Sequence, residues 1–153
     1  MHQNAAGLGI ALSHVGSFLE KINEQYKDVD QTPTYWVDYI WNSRTIDGNK
    51  ILDIAELNIY GQEIPESLVA IEDVCLRPDM ITLMSPDKHP TLKIQVGDIS
   101  IIKFKSSQEE YDQFCQDNIV LNVVCKCNKN EWQGNISPQL ICEDFDLREE
   151  WIF

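Results

Sequence analysis

The chain is poor in positive charge. Of its 153 residues, 12 are Lys or Arg and 25 are Asp or Glu, for a formal net charge of −13. That balance argues against a nucleic-acid binder that works through its whole surface. Long apolar runs are missing too. No stretch approaches the roughly 18 residues of a membrane span, so no membrane partner is expected. The apolar opening "MHQNAAGLGIAL" has no Lys or Arg before Lys21 and so lacks the basic start of a signal peptide. An interior piece of a larger protein is the expectation, with "AAGLGI" reading as a strand already in progress. The five cysteines are odd in number, at Cys75, Cys115, Cys125, Cys127 and Cys142. The Cys125-x-Cys127 pair has no second pair at zinc spacing and no adjacent histidine. With Ile119, Leu121 and Val123 it continues the apolar face of an alternating strand, so core thiols and no metal are predicted. Thiols without a leader also suggest a reducing cytoplasm. Repeats and low-complexity segments are absent.

What is present suits a globular domain. Hydrophobic residues make up 43% and charged residues 24%, and the length allows one domain with a substantial core. The charge is uneven. Residues 1–76 carry 4 basic and 12 acidic side chains and residues 131–153 carry 1 and 6, but residues 77–130 carry 7 of each. Most basic residues of that middle section lie on or beside predicted strands, which allows a locally basic surface on an acidic chain.

The apolar positions Val15, Phe18, Leu19, Ile22 and Tyr26 predict an amphipathic helix from Ser13, its N-cap, to Lys27. "DVDQTPT" (28–34) is a polar connector. "YWVDYIW" (35–41) reads as a strand and "KILDIAELNIY" (50–60) as a helix with Gly61 at its C′ position. After "GQEIPES" come short strands at 68–76 (restarting at 80–84), 91–96, 99–105, 118–127 and 138–146. A helical segment at 106–117 carries Tyr111, Phe114 and Cys115. Five strands with one helix between the third and fourth is the order of an OB-fold, a small, partly open Greek-key barrel. The fold class is therefore α+β: a small α/β fragment followed by a five-stranded barrel.

That topology gives two segments a role. "SPDKHP" (85–90) joins strands 1 and 2, and "NKNEWQGNIS" (128–137) is the loop joining strands 4 and 5; the two flank an OB-fold's ligand face. One offers Lys88 and His89, the other Lys129, Asn130 and Trp132. Leu92, Ile94 and Val96 should point inward and Lys93 outward. Lysines that follow phosphates and a ring that stacks on a base suit single strands. Two readings of the second loop stand together. Trp132 either stacks on a base or packs on the barrel end, with Gly134 supplying a positive φ and Asn130 serving the turn backbone.

"NVVCKCNKNEWQGNISPQLICEDFDL" resembles the C-terminal OB domain of RecJ-type single-stranded-DNA exonucleases. The resemblance rests on Asn130, Trp132, Gly134, Pro138, Gln139, Glu143 and Asp144. "IYGQEIPES" is similar to a loop of that family at Tyr60, Gly61, Pro65 and Glu66. "HQNAAGLGI" resembles the end of its DHH-associated subdomain, with His2 as the motif histidine. The pattern departs at Cys125, where many relatives have glycine, and the Asn of the second motif is not retained. The resemblance implies a diverged member, represented by its C-terminal part. Residues 1–30 would be the subdomain remnant, 31–66 a strand–helix connector and 67–153 the OB domain. It further implies a parent hydrolase that digests single-stranded DNA from 5′ to 3′ in recombination and repair. Two Mn²⁺ or Mg²⁺ ions, bound by an N-terminal domain not in this sequence, would do the chemistry. This chain alone would be inactive. Single-stranded DNA would contact His2, Lys88, His89, Lys93, Lys103, Lys105, Lys126, Lys129, Asn130 and Trp132, and a single-strand-binding protein is a further expected partner. Two alternatives stay open: an acidic protein-interaction module that touches no DNA, and the tail of a phosphodiesterase for short or cyclic nucleotides. Oligomeric state is not legible.

Overall fold

The computed structural model describes residues 7, 9–29, 32, 34–57, 59–61 and 64–149. His2, Ala5, Ala6 and Leu8 lie outside them, and Gly7, Gly9 and Ile10 are in neither helix nor strand. The chain divides into two compact units, with the boundary between Thr34 and Tyr35. In the first, a 3-10 turn (Leu12–His14) leads into α1 (Val15–Gln25). The apolar stripe does form this helix, but none of its residues is buried. Ser13, expected as N-cap, lies inside the 3-10 turn, and no side chain caps either start.

The second unit contains β1 (Tyr39–Asn42), α2 (Gly48–Ala55), β2 (Leu68–Cys75), a 3-10 turn (Pro78–Met80) and β3 (Ile81–Met84). Then follow β4 (Thr91–Val96), β5 (Ile99–Phe104), α3 (Gln108–Phe114), β6 (Ile119–Trp132) and β7 (Asn135–Glu149). The strands form one sheet in the order β1-β2-β6-β7-β5-β4-β3. β5 and β7 are parallel, as are β1 and β2, and all other neighbours are antiparallel. β2 and β3 are two halves of one OB-fold strand, and residues 76–80 carry the chain from β2, next to the edge strand β1, to β3 at the opposite edge. The barrel order matches the expectation, with β1 added at one edge.

Period-two patterning builds the core. Leu92, Ile94 and Val96 of β4 face Lys103, Ile101 and Ile99 of β5, and the apolar members of both sets are buried. In β6, buried positions alternate through Leu121, Val123, Cys125 and Cys127, so the two cysteines are core residues. α2 buries Ile51 against it, and Asp47 caps that helix by accepting from Asn49 N at 3.0 Å and Lys50 N at 3.4 Å. α3 starts in a capping box between Ser107 and Glu110 and buries Phe114 against Phe145, with ring centroids 5.0 Å apart.

Three expectations need correction. β1 begins at Tyr39, because the Asp38 carboxylate accepts from Leu68 N at 3.1 Å and so takes a ladder partner's place. α2 stops at Ala55: its last turn tightens as Leu57 N donates to Ile54 O, and Gly61 instead donates to Ile64 O at 2.8 Å. Residues 128–137 are not a loop. β6 and β7 pair out to Trp132↔Asn135 across a two-residue turn at Gln133 (φ 50°) and Gly134 (φ 81°). Two positive φ values make a type I′ turn, whose twist matches that of the strands it joins.

Candidate nucleic-acid interface

The sheet register determines which side chains share the barrel's outer face. Lys93 pairs with Ile102, Ile102 with Ile141, and Ile141 with Lys126, forming one outward row across four strands. The next row is Gln95, Ser100, Gln139 and Asn128. Along the hairpin the face continues through Asn130 with Ser137 and ends at Trp132 with Asn135. None of these residues is Asp or Glu. These positions hold carboxamides, hydroxyls, two isoleucines (Ile102 buried), two lysines and an aromatic tip, and among the described residues carboxylates reach them only at Lys126, from Glu143 and Glu66.

The 85–90 segment and the hairpin lie at opposite ends of this face. β4 leaves the first segment at Thr91 and reaches the Gly97–Asp98 turn at its far end. The parallel register Ser100↔Gln139 places the start of β7 at that same end. A Cβ on Gly48 would meet Pro138 Cγ at 3.0 Å and Asp98 Oδ2 at 3.4 Å, which independently brings the turn and the hairpin base together.

The ten residues singled out from sequence have different surroundings. His2 is outside the described residues. Trp132 is 69% exposed, so its ring does not pack on the barrel. Asn130 is exposed beside it on the hairpin. Lys88, His89 and Lys105 are exposed and line one groove with Pro90, Thr91, Phe104 and Ser106. Lys93 is half-buried and faces outward.

The other three lysines are ion-paired. Lys103 lies on the inner face, its ammonium 2.9 Å and 3.0 Å from the Glu110 oxygens and 5.4 Å from the Phe145 ring centre. Lys126 lies between Glu143 at 3.1 Å and Glu66 at 3.3 Å. Register slips where Val124 pairs with Asp144 and Cys125 with Cys142, so Glu143 bulges toward the lysine. Bonding to Glu143, then to Glu66, holds the Lys126 ammonium above its usual pKa. Lys129 faces the other side of the hairpin, 3.5 Å from Glu56. Lys88, Lys93 and Lys105 have no ion-pair partner among the described residues. Sequence alone could not make this separation, and it also missed Phe104, 55% exposed at the end of β5.

The cysteines are thiols. Burial pushes Cys127 up to about 11 and Cys142 to about 12, and Cys125 well above its ordinary value. Among the described residues no group of three or more His, Cys, Asp or Glu could hold a metal ion, so these side chains do not fit a catalytic metal centre. No helix among them is long and apolar enough to cross a membrane.

Comparison with known proteins bears on the family and the fold. Residues 37–144 match the RecJ OB domain family. Over 143 residues the chain is 29% identical to a protein named as the SPbeta prophage-derived single-strand DNA-specific exonuclease YorK of Bacillus subtilis (strain 168). Its counterpart from Bacillus phage SPbeta is 29% identical over the same length. The match takes in 91% of this chain and 25% of the relatives, so the chain spans about a quarter of their length. RecJ from Thermus thermophilus in complex with Mn²⁺ superposes with a TM-score of 0.62 at 13% identity, over 94% of this chain and 21% of that one. The Mg²⁺ complex gives 0.58 at 14% identity, over 93% and 21%. Barrel order, hairpin and family match converge, and the chain belongs to the RecJ OB domain family.

Proposed function

We propose that this domain grips single-stranded DNA for a RecJ-like exonuclease, with the strand lying along the outer face of β4, β5, β7 and β6. The observation that carries the reading is the run of positions from Gln95, Ser100, Gln139 and Asn128 out to Trp132, which holds no carboxylate on a chain of net charge −13; the carboxylates of this face, Glu143 and Asp144, begin beyond Lys126. An acidic protein binds a polyanion only where its own carboxylates are kept away. Lys88, Lys93 and Lys105 neutralise phosphates; Trp132 stacks on a base, worth about 1–3 kcal/mol. Asn128, Asn130 and Gln139 offer hydrogen bonds with no fixed sequence demand. Hydrolysis belongs to the rest of the parent protein, with Mn²⁺ or Mg²⁺ supplying the Lewis acid there. The 5′ to 3′ polarity, the role in recombination and repair, the cytoplasmic setting and a single-strand-binding protein as partner are parts of the same proposal. So are the division into a subdomain remnant, a connector and an OB domain, and the placement of His2 near the DNA.

A second reading has its own support. Trp36 is 90% exposed and Ile40 54% exposed beside the edge strand β1, which suits an acidic module that docks a protein. Titration of a labelled oligothymidylate separates the two. Weak binding that Trp132→Ala reduces about 5- to 150-fold, at unchanged melting temperature, supports the DNA reading. No binding even at low salt transfers the domain to the protein-docking class.

A further inference from the structure

We infer that the groove between the 85–90 segment and the end of β5 is a separate nucleotide subsite, in which Phe104 stacks a base and Lys88, His89 and Lys105 hold its phosphates. It deepens the reading above, since it adds a second stacking platform at the opposite end of the face from Trp132. The groove has a volume of about 530 Å³, within the range of small-ligand pockets. Phe104 pairs with Thr91 on the outer face and leaves its ring 55% exposed. Exposure by itself would mean little, because isolated exposed apolar residues are ordinary. Here the ring shares a groove with two lysines and a histidine and with no carboxylate. The neighbouring Asp87 is not among the lining residues.

The groove is also held in shape. Lys105 adopts φ 56° and Ser85 φ 49°, left-handed conformations that a non-glycine residue rarely takes without local support. Local bonds fix both. Ser106 is buried, donates its N–H to Pro90 O at 3.0 Å and its hydroxyl to Lys103 O at 3.0 Å. Lys88 N and His89 N both donate to Ser85 O at 3.2 Å, and Thr91 Oγ1 donates to His89 O at 3.0 Å. The left-handed turn after Phe104 swings Lys105 away from the ladder to the groove's rim. A flat ring lining one groove with Lys88 and Lys105, with the backbone already ordered, fits a nucleobase and its flanking phosphates.

The test measures dodecathymidylate affinity for the wild type, Phe104→Ala, Phe104→Leu, Phe104→Trp and Trp132→Ala, with melting temperatures alongside. A stacking subsite predicts that Phe104→Ala and Phe104→Leu each lose about 5- to 150-fold, that Phe104→Trp retains affinity, and that no melting temperature changes. Wild-type affinity in both Phe104→Ala and Phe104→Leu, alongside a loss in Trp132→Ala, overturns the subsite and leaves the DNA reading intact. If the wild type does not bind the oligonucleotide, the DNA reading falls, and thymidine 5′-monophosphate then decides the subsite by amide chemical shifts. Shifts at residues 88–91 and 104–106 uphold it; their absence overturns it.

Discussion

The separation of paired from unpaired lysines makes a quantitative prediction about salt. Each phosphate neutralised on a single strand contributes about −0.7 to the slope of log K against log[salt]. If Lys88, Lys93 and Lys105 make the contacts, the slope is about −2; six contacts, adding Lys103, Lys126 and Lys129, give about −4. A rise from about 50 to about 200 mM salt then weakens binding about 18-fold in the first case and about 300-fold in the second. Two substitutions sharpen the contrast. Lys93→Ala should lower the slope by about 0.7 and leave the melting temperature unchanged, since its ammonium makes no ion pair among the described residues. Lys103→Ala should do the reverse. Its side chain is 16% exposed and that of Glu110 is 29%, so the pair lies between the surface and fully buried limits. Breaking it costs about 1–3 kcal/mol, which lowers the melting temperature by about 3–12 °C at an unchanged slope. Fluorescence anisotropy across the salt range, with thermal unfolding of the same samples, measures both quantities. A wild-type slope near −4, or a reduced slope in Lys103→Ala, would refute the assignment.

Three further outcomes follow from the hairpin, the thiols and the absent ligand set. Gly134→Val should destabilise the hairpin by about 1–2 kcal/mol, because position 134 sits at φ 81°; unaltered hydrogen exchange at Asn130 and Ser137 would contradict that. Folded-state pKa values of Cys127 and Cys142 are raised to about 11 and about 12, and that of Cys125 is raised well above its ordinary value. Their contribution is therefore fully present below the unfolded thiol pKa and is lost as pH rises through the folded values. Between about pH 9 and its own folded value each thiol should remove up to about 1.4 kcal/mol of stability per pH unit, and Cys142→Ala should shed one such proton from the slope measured by urea titration at several pH values in that window. Finally, the purified chain should cleave no labelled single strand with Mn²⁺ or Mg²⁺, since its described side chains provide no metal cluster; cleavage that co-purifies with the chain and responds to its substitutions would reverse this.

The barrel was legible because burial there is periodic. Leu92, Ile94 and Val96, like Val123, Cys125 and Cys127, alternate in sequence as they alternate in space. The hairpin was illegible for the opposite reason. Asn128 to Glu131 are all exposed, so no apolar rhythm marks them as strand, and a two-residue turn sets their pairing instead. The ion pairs were hidden by distance along the chain: Lys126 finds Glu66, and Lys129 finds Glu56, only after α2 and β2 have folded against β6. Phe104 ends an apolar run, and only its register with Thr91 reveals that it points away from the core.

The tight turn at Gln133–Gly134 imposes a rule of parity on this domain. Because the strands meet with no slack, the arm cannot take up a single inserted residue as a bulging loop without giving up its type I′ geometry. One residue added to each strand would keep the pairing but turn Trp132 to the side where Lys129 now faces Glu56. Only paired steps preserve the outward aromatic, each lengthening the arm by about 7 Å. Relatives that hold the same ring over the same face should therefore differ in arm length by even numbers of residues per strand, and a designed extension that ignores parity should leave the tip aimed away from the strand it is meant to touch.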